Sequence, residues 1–170
     1  MKLFIIILYA FLPWPLFATS VLPRSLTNLV ADADHVFIGK VTLVDMVDKQ
    51  GNQVTNLSAR TGPGSFNKIR LHVSVETNGV LFSTAKQVPA SLTVALWSMW
   101  HYSLGQIKDI EENQRSIFLL KGSNFDIVYP NGFSRALSEQ AEIEQLLKQK
   151  GTQNKTITPF HSSGGIRASP

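Results

Sequence analysis

The densest set of side chains able to do chemistry lies where a predicted strand ends. It consists of Trp97, Met99, Trp100, His101 and Tyr102. Aromatic faces of this kind stack on sugars or peptides, and a thioether with an imidazole suits copper(I). The tryptophans could equally close one end of a hydrophobic core. The segment therefore predicts a binding surface, a core plug or a copper site, and its five side chains form the candidate site.

The histidines give no other sign of a metal centre. His35, His72, His101 and His161 include no pair four residues apart and no His-x-His, the spacings that let two imidazoles bind one metal. The sequence has no cysteine either, which removes thiolate sites and thiol catalysis. We expect structural or surface histidines, no metal and no cofactor.

The sequence carries few signs of catalysis. Gly-x-Ser-x-Gly is absent, and the Gly-Pro-Gly-Ser stretch at 62–65 lacks the strand-to-helix context of a nucleophilic serine. Asp32 and Asp34 have the spacing of helix-end carboxylates more than that of an acid–base pair. We therefore expect no catalytic residues and a protein that is not an enzyme.

The elements that must position the candidate site are mostly strands. In 68–77, Ile69, Leu71 and Val73 alternate with polar residues, as in a half-buried antiparallel strand. The run 115–121 is apolar on both faces and predicts a central strand. Together, β-rich runs predict five strands, at 35–45, 68–77, 91–97, 115–121 and 125–129.

One helix is predicted on each side of these strands. The first covers 25–33 and is capped by Ser25. The second begins near Ser138, which serves as its cap, and stops at Gly151.

Two segments show no periodicity, 46–67 and 98–113, and are predicted to be irregular. Asn78-Gly79 is a strong turn pair, with residues 80–82 resuming the strand if the pair forms only a bulge. If the protein has a site, we expect it on the aromatic segment together with the long 46–67 loop.

Gly39 lies inside the first predicted strand and marks a bend. A bend lets one strand serve both sides of a small barrel. Five short strands of this kind predict a mainly β fold, a five-stranded OB-like antiparallel Greek-key barrel with a short N-terminal helix and a C-terminal helix.

Two short patterns of core residues carry a resemblance to a known group. An A-D-x-V-x-x-G-x-V strand start and a late I-F-L-L-K-G strand, at 33–41 and 117–122, resemble exported bacterial OB-like proteins related to the tissue-inhibitor-of-metalloproteinase, or netrin-like, fold. The resemblance covers about 25–129. The inhibitors block a catalytic zinc with an N-terminal cysteine, and this chain has none. The resemblance therefore implies a fold more than a function.

The N-terminal residues are typical of an export signal. Lys2 precedes an apolar run that Pro13 and Pro15 interrupt, and Ala18 or Ser20 supplies a small residue before a cut. The run is short for a membrane-spanning helix, although an uncleaved anchor remains the alternative. We predict a signal peptide at 1–18, with the cut at 18 or 20, and a periplasmic or secreted protein.

The remaining chain is predicted to form one domain at 21–150 and a disordered tail at 151–170. Its net charge of +4 includes no run of Lys or Arg, so we expect no nucleic-acid partner. We expect contact with the membrane only through an uncleaved signal.

We predict a monomeric binding module for another envelope or extracellular protein. An inhibitor or assembly partner of an envelope protein, or an enzyme with no recognisable motif, are the alternatives.

Overall fold

The structure is a computed structural model that describes residues 21–156, with side chains to residue 152. These residues form six strands and three α-helices. The helices are α1 (Leu26–Asp32), α2 (Leu104–Glu111) and α3 (Gln140–Thr156), and the strands are β1 (His35–Val47), β2 (Lys68–Ser83), β3 (Ser91–Ala95), β4 (Arg115–Lys121), β5 (Asp126–Ile127) and β6 (Ser134–Arg135). The predicted signal peptide and residues 157–170 of the predicted tail lie outside the described residues.

All six strands belong to one antiparallel sheet. Its order is β3-β2-β1-β4-β5, and β6 also pairs with β4. Among the described residues the ladder ends at β3 on one edge and β5 on the other, so the sheet is open. The mainly β, antiparallel class is thereby confirmed.

Strand interiors follow the predicted burial. The alternating residues Ile69, Leu71 and Val73 of β2 are buried, and Ile117–Leu120 of β4 are buried without interruption. Strand β4 pairs with β1 on one side and with β5 and β6 on the other, which makes it central. The core lies between the sheet and the helices, and includes Val30, Phe37, Ile107, Phe118 and Ile143.

The irregular point predicted at Gly39 is present. The β1–β2 register shifts between Phe37 and Gly39. A Cβ atom on Gly39 would lie 2.6 Å from the Val73 Cγ1 atom. Glycine is therefore required here, because β2 approaches the β1 backbone too closely for a side chain.

Asn78-Gly79 does not reverse the chain. Asn78 has a φ of 64°, and β2 continues through both residues to Ser83. Between the pairs Gly39↔Val75 and Phe37↔Val80, β2 contributes more residues than β1. The pair thus forms a bulge and not a turn, because β2 pairs with β1 both before and after Asn78-Gly79.

Several predicted boundaries are wrong. The 98–113 segment contains α2, and β6 has no predicted counterpart. Ser138 lies in a 3-10 turn, Leu137–Glu139, with α3 beginning at Gln140. Helix α3 also continues through Gly151 to Thr156. From residue 21 to residue 156, no helix is long and apolar enough to cross a membrane.

Candidate functional site

The five candidate side chains meet at one cavity of about 540 Å³. Pro63 from the 46–67 loop and Gln106 from α2 complete its lining. We call this the aromatic cavity, lined by Pro63, Trp97, Met99, Trp100, His101, Tyr102 and Gln106. Its volume lies within the range typical of sites for small ligands.

The aromatic segment connects β3 to α2. Strand β3 ends at Ala95, and the chain crosses to Ser103, whose side chain accepts a hydrogen bond from the Gln106 backbone N–H. Serine with glutamine three residues later is a recognised signal for a helix start. That signal could have predicted α2, and with it the placement of Gln106 at the cavity.

The 46–67 loop is fastened to this connection by hydrogen bonds. Thr61, which is 1% exposed, donates its hydroxyl to the Trp100 carbonyl at 2.5 Å. The Tyr102 N–H donates to the Thr61 Oγ1 atom at 3.1 Å, and the Thr61 N–H donates to the Tyr102 carbonyl at 2.9 Å. These bonds join the loop and the aromatic segment, the two parts in which we expected a site.

The three rings meet edge to face. The centroids of Trp97 and Trp100 lie 5.5 Å apart at an interplanar angle of 64°, and those of Trp100 and Tyr102 lie 5.7 Å apart at 79°. Tyr102 packs against the hydrophobic core, whereas neither tryptophan belongs to the residues packed there. The tryptophans extend the wall of the cavity outward from Tyr102.

His101 lies against the backbone of Gly62. A Cβ atom on Gly62 would be 2.3 Å from the His101 Nδ1 atom. Gly62 has a φ of 125°, which side-chain-bearing residues rarely adopt. The glycine allows the loop to reach the imidazole, and so helps to set where His101 stands at the cavity.

Tyr102 has a neighbouring carboxyl group. Burial raises the pKa of the Tyr102 phenol, and the nearby charge of Glu111 adds to the rise. Burial also raises the pKa of Glu111, which makes no ion pair with any described residue. Asp109, Glu111 and Glu112 follow the aromatic segment, and of these acidic residues Asp109 is exposed whereas Glu111 and Glu112 are partly buried.

A cluster of polar side chains, separate from the aromatic cavity, lies on the outer face of β1, β2 and β3. Arg70 donates to both carboxylate oxygens of Asp45, at 2.8 and 2.5 Å. His72 Nε2 lies 3.3 Å from Asp45 Oδ2, and His72 Nδ1 lies 3.4 Å from the Thr93 hydroxyl. The Arg70 hydrogen bonds hold the pKa of Asp45 below its ordinary value. The carboxylate is thereby held mainly by arginine, as in a structural ion pair.

The other histidine and carboxylates singled out in the sequence have structural contacts. His35 is 2% exposed and bridges the Ser83 hydroxyl, at 2.9 Å, and the Gly122 carbonyl, at 3.1 Å. Asp34 accepts from the Gly122 N–H, and Asp32 pairs with Arg24. His161 lies outside the described residues. Within the described part of the chain, no three His, Asp or Glu side chains are grouped to hold a metal.

No model of a known protein family matches this chain, and no curated protein matches it. The resemblance to the netrin-like OB proteins therefore stays a prediction. The aromatic cavity remains the arrangement from which a function can be argued, because it is concave, largely apolar and built from two separate segments.

Proposed function

We propose that this protein is an exported, non-enzymatic binding module whose ligand site is the aromatic cavity. The observation that carries the proposal is that five side chains chosen for their chemistry line one cavity together with the loop expected to flank them. Half-buried aromatic rings at a concave surface supply contact area at low entropic cost, as recognition sites do.

The fold proposed for this module is a partly open OB-like barrel. The order β4-β1-β2-β3, with the fourth strand returning beside the first, is that of a Greek key. Cα atoms of the edge strands β3 and β5 approach within 8 Å of one another. The register shift at Gly39 is consistent with the bend that a small barrel needs in its first strand.

The proposed location is the periplasm or the extracellular space, with the protein as a monomer that meets another envelope or extracellular protein. This part rests on the N-terminal 1–18 segment. N-terminal sequencing of the exported protein tests it, with Thr19 or Val21 as the expected first residue. A product that starts at Met1 and stays in the membrane would contradict it.

The binding function is tested by comparing three versions of the chain for capture from an envelope extract. Trp100→Ala removes the central ring of the cavity wall. Leu43→Ala is the control, because Leu43 is 42% exposed and lies on β1, outside the lining of the aromatic cavity. We expect the same component to be captured by the wild type and by Leu43→Ala, and not by Trp100→Ala.

The melting temperature of each variant separates recognition from stability. If Trp100→Ala captures as well as the wild type but melts at a lower temperature, the ring is structural and the proposal is wrong. His101→Ala provides a second variant at the same cavity, since His101 is exposed and its removal leaves no unpaired core atom.

A further inference from the structure

The aromatic cavity offers no charged partner to a ligand. Its lining among the described residues contains no Lys, Arg, Asp or Glu, and His101 is its one imidazole. A phosphate or a carboxylate would lose its hydration there without an opposite charge to replace it. The lining therefore disfavours an anionic ligand.

Two hydrogen-bond donors of the wall, the indole N–H groups, have no partner among the described residues. The indole N–H groups of Trp97 and Trp100 can only donate. Neither has an acceptor within the described residues, and neither is sealed from solvent. The Tyr102 hydroxyl and the Gln106 side-chain amide likewise have no hydrogen-bond partner among the described residues, and both can accept as well as donate. The two free indole N–H groups therefore favour a ligand that presents acceptors.

Prolyl residues present acceptors and no backbone donors. A polyproline II segment has no internal hydrogen bonds, so all its carbonyls are free to accept. An oligosaccharide, in contrast, presents a hydroxyl donor with nearly every acceptor. The two indole N–H groups cannot receive any of these donors.

The ring geometry points the same way. Interplanar angles of 64° and 79° give a folded wall and not a flat platform. A sugar ring could stack on one face at a time, whereas a prolyl ring set into the angle between two rings contacts both. Aromatic-lined grooves are a general means of binding proline-rich segments, since the extended conformation is already formed before binding.

We infer that the aromatic cavity binds a proline-rich segment of a partner protein in the polyproline II conformation. The inference rests on the proposed binding function and names the ligand class for that same site. The segment's rings lie in the angles between Trp97, Trp100 and Tyr102. Its carbonyls accept from the two indole N–H groups.

The test uses all 170 residues with Trp14→Phe, which leaves Trp97 and Trp100 as the remaining tryptophans whether or not the leader is cleaved. Tryptophan emission is followed during titration with acetylated decaproline. A Gly-Ser peptide of equal length and a neutral chitooligosaccharide are titrated in parallel. We expect a saturable change with decaproline and none with the Gly-Ser peptide.

A second variant tests the hydrogen bonds. Trp97→Phe in the same background keeps a ring but removes one indole N–H, and Trp100 still reports binding. We expect binding of decaproline to weaken about tenfold, the effect of losing one hydrogen bond. In the Trp14→Phe protein itself, the two indole N–H resonances should shift on titration, which gives a readout independent of whether Trp97→Phe folds.

The outcomes separate this inference from the proposed function. No saturable response to decaproline at millimolar concentration overturns the ligand class. A saturable response to decaproline that leaves the indole N–H resonances unshifted also overturns the ligand class. If the oligosaccharide responds instead, or if capture from the envelope extract still depends on Trp100, the cavity remains a binding site with a different ligand.

Discussion

The hydroxyl of Thr61 donates to the main-chain carbonyl of Trp100, 39 residues further along the chain. The threonine is buried, so the bond lies where water cannot replace it. It joins a loop that has no regular structure of its own to the segment that carries the aromatic rings. The shape of the aromatic cavity therefore depends on a contact between two connections of the sheet.

Thr61→Val is expected to destabilise the protein. Valine has the shape of threonine but cannot donate to Trp100 or accept from the Tyr102 N–H, so both groups lose that partner. The expected loss is about 1–3 kcal/mol, measured by urea unfolding. Thr61→Ser keeps the hydroxyl and is the matched control. Equal stability of the valine variant and the wild type would mean that the loop is not held through this side chain.

Gly62→Ala is expected to displace His101. The new methyl group would overlap the imidazole, and alanine disfavours the φ of 125°, with a cost of about 1–3 kcal/mol for the backbone. Gly64→Ala is the control, because Gly64 also has a positive φ but no described atom lies within 4 Å of its Cβ position. NMR shifts of the His101 ring should change with Gly62→Ala alone. Matching spectra for both variants would show that contact with Gly62 does not position the imidazole.

Acid should remove the contribution of the Asp45–Arg70 pair. The pKa of Asp45 is lowered in the folded state, chiefly by Arg70. Its stabilisation is therefore complete above the ordinary carboxyl pKa and is lost as pH falls through the lower folded-state pKa. The melting temperature of the wild type should decline below about pH 4.

Asp45→Asn should show a smaller decline in acid. It should cost about 2 kcal/mol at neutral pH, because the half-buried Arg70 loses its charged acceptor. Asp32→Asn, at an exposed ion pair with Arg24, is the control and should change stability by less than about 1 kcal/mol. Parallel pH profiles for the wild type and Asp45→Asn would contradict the role given to this pair.

Glu111 should have the opposite pH dependence. Burial raises its pKa in the folded state, so its contribution favours folding at low pH and is lost as pH rises through that pKa. Glu111→Gln is expected to melt higher than the wild type at neutral pH, with the difference closing in acid. Glu112→Gln is the comparison, since Glu112 pairs with Lys108 at 2.9 Å. A lower melting temperature for Glu111→Gln at neutral pH would show that its carboxylate is stabilising.

Local patterns predicted the sheet better than its connections. The alternation around Leu71 predicts burial on one face of a strand, and the apolar run around Phe118 predicts burial on both faces. The strands β2 and β4 have these burial patterns. The helix stop predicted from Gly151 is wrong. A glycine in a helix costs only about 1 kcal/mol, and α3 runs through Gly151 while Lys150 donates to the Ala33 carbonyl of the α1 end.

The sequence by itself determined the antiparallel β class, an irregular point in the first strand at Gly39 and the side chains of the candidate site. Each follows from neighbouring residues, through periodicity, sterics or side-chain chemistry. Only the tertiary structure decided that Asn78-Gly79 is a bulge, that Gln106 and Pro63 join the aromatic cavity, and that Thr61 holds its loop to Trp100. Those outcomes depend on hydrogen bonds and packing between segments far apart in the chain, and no local pattern records which partner a backbone group will find.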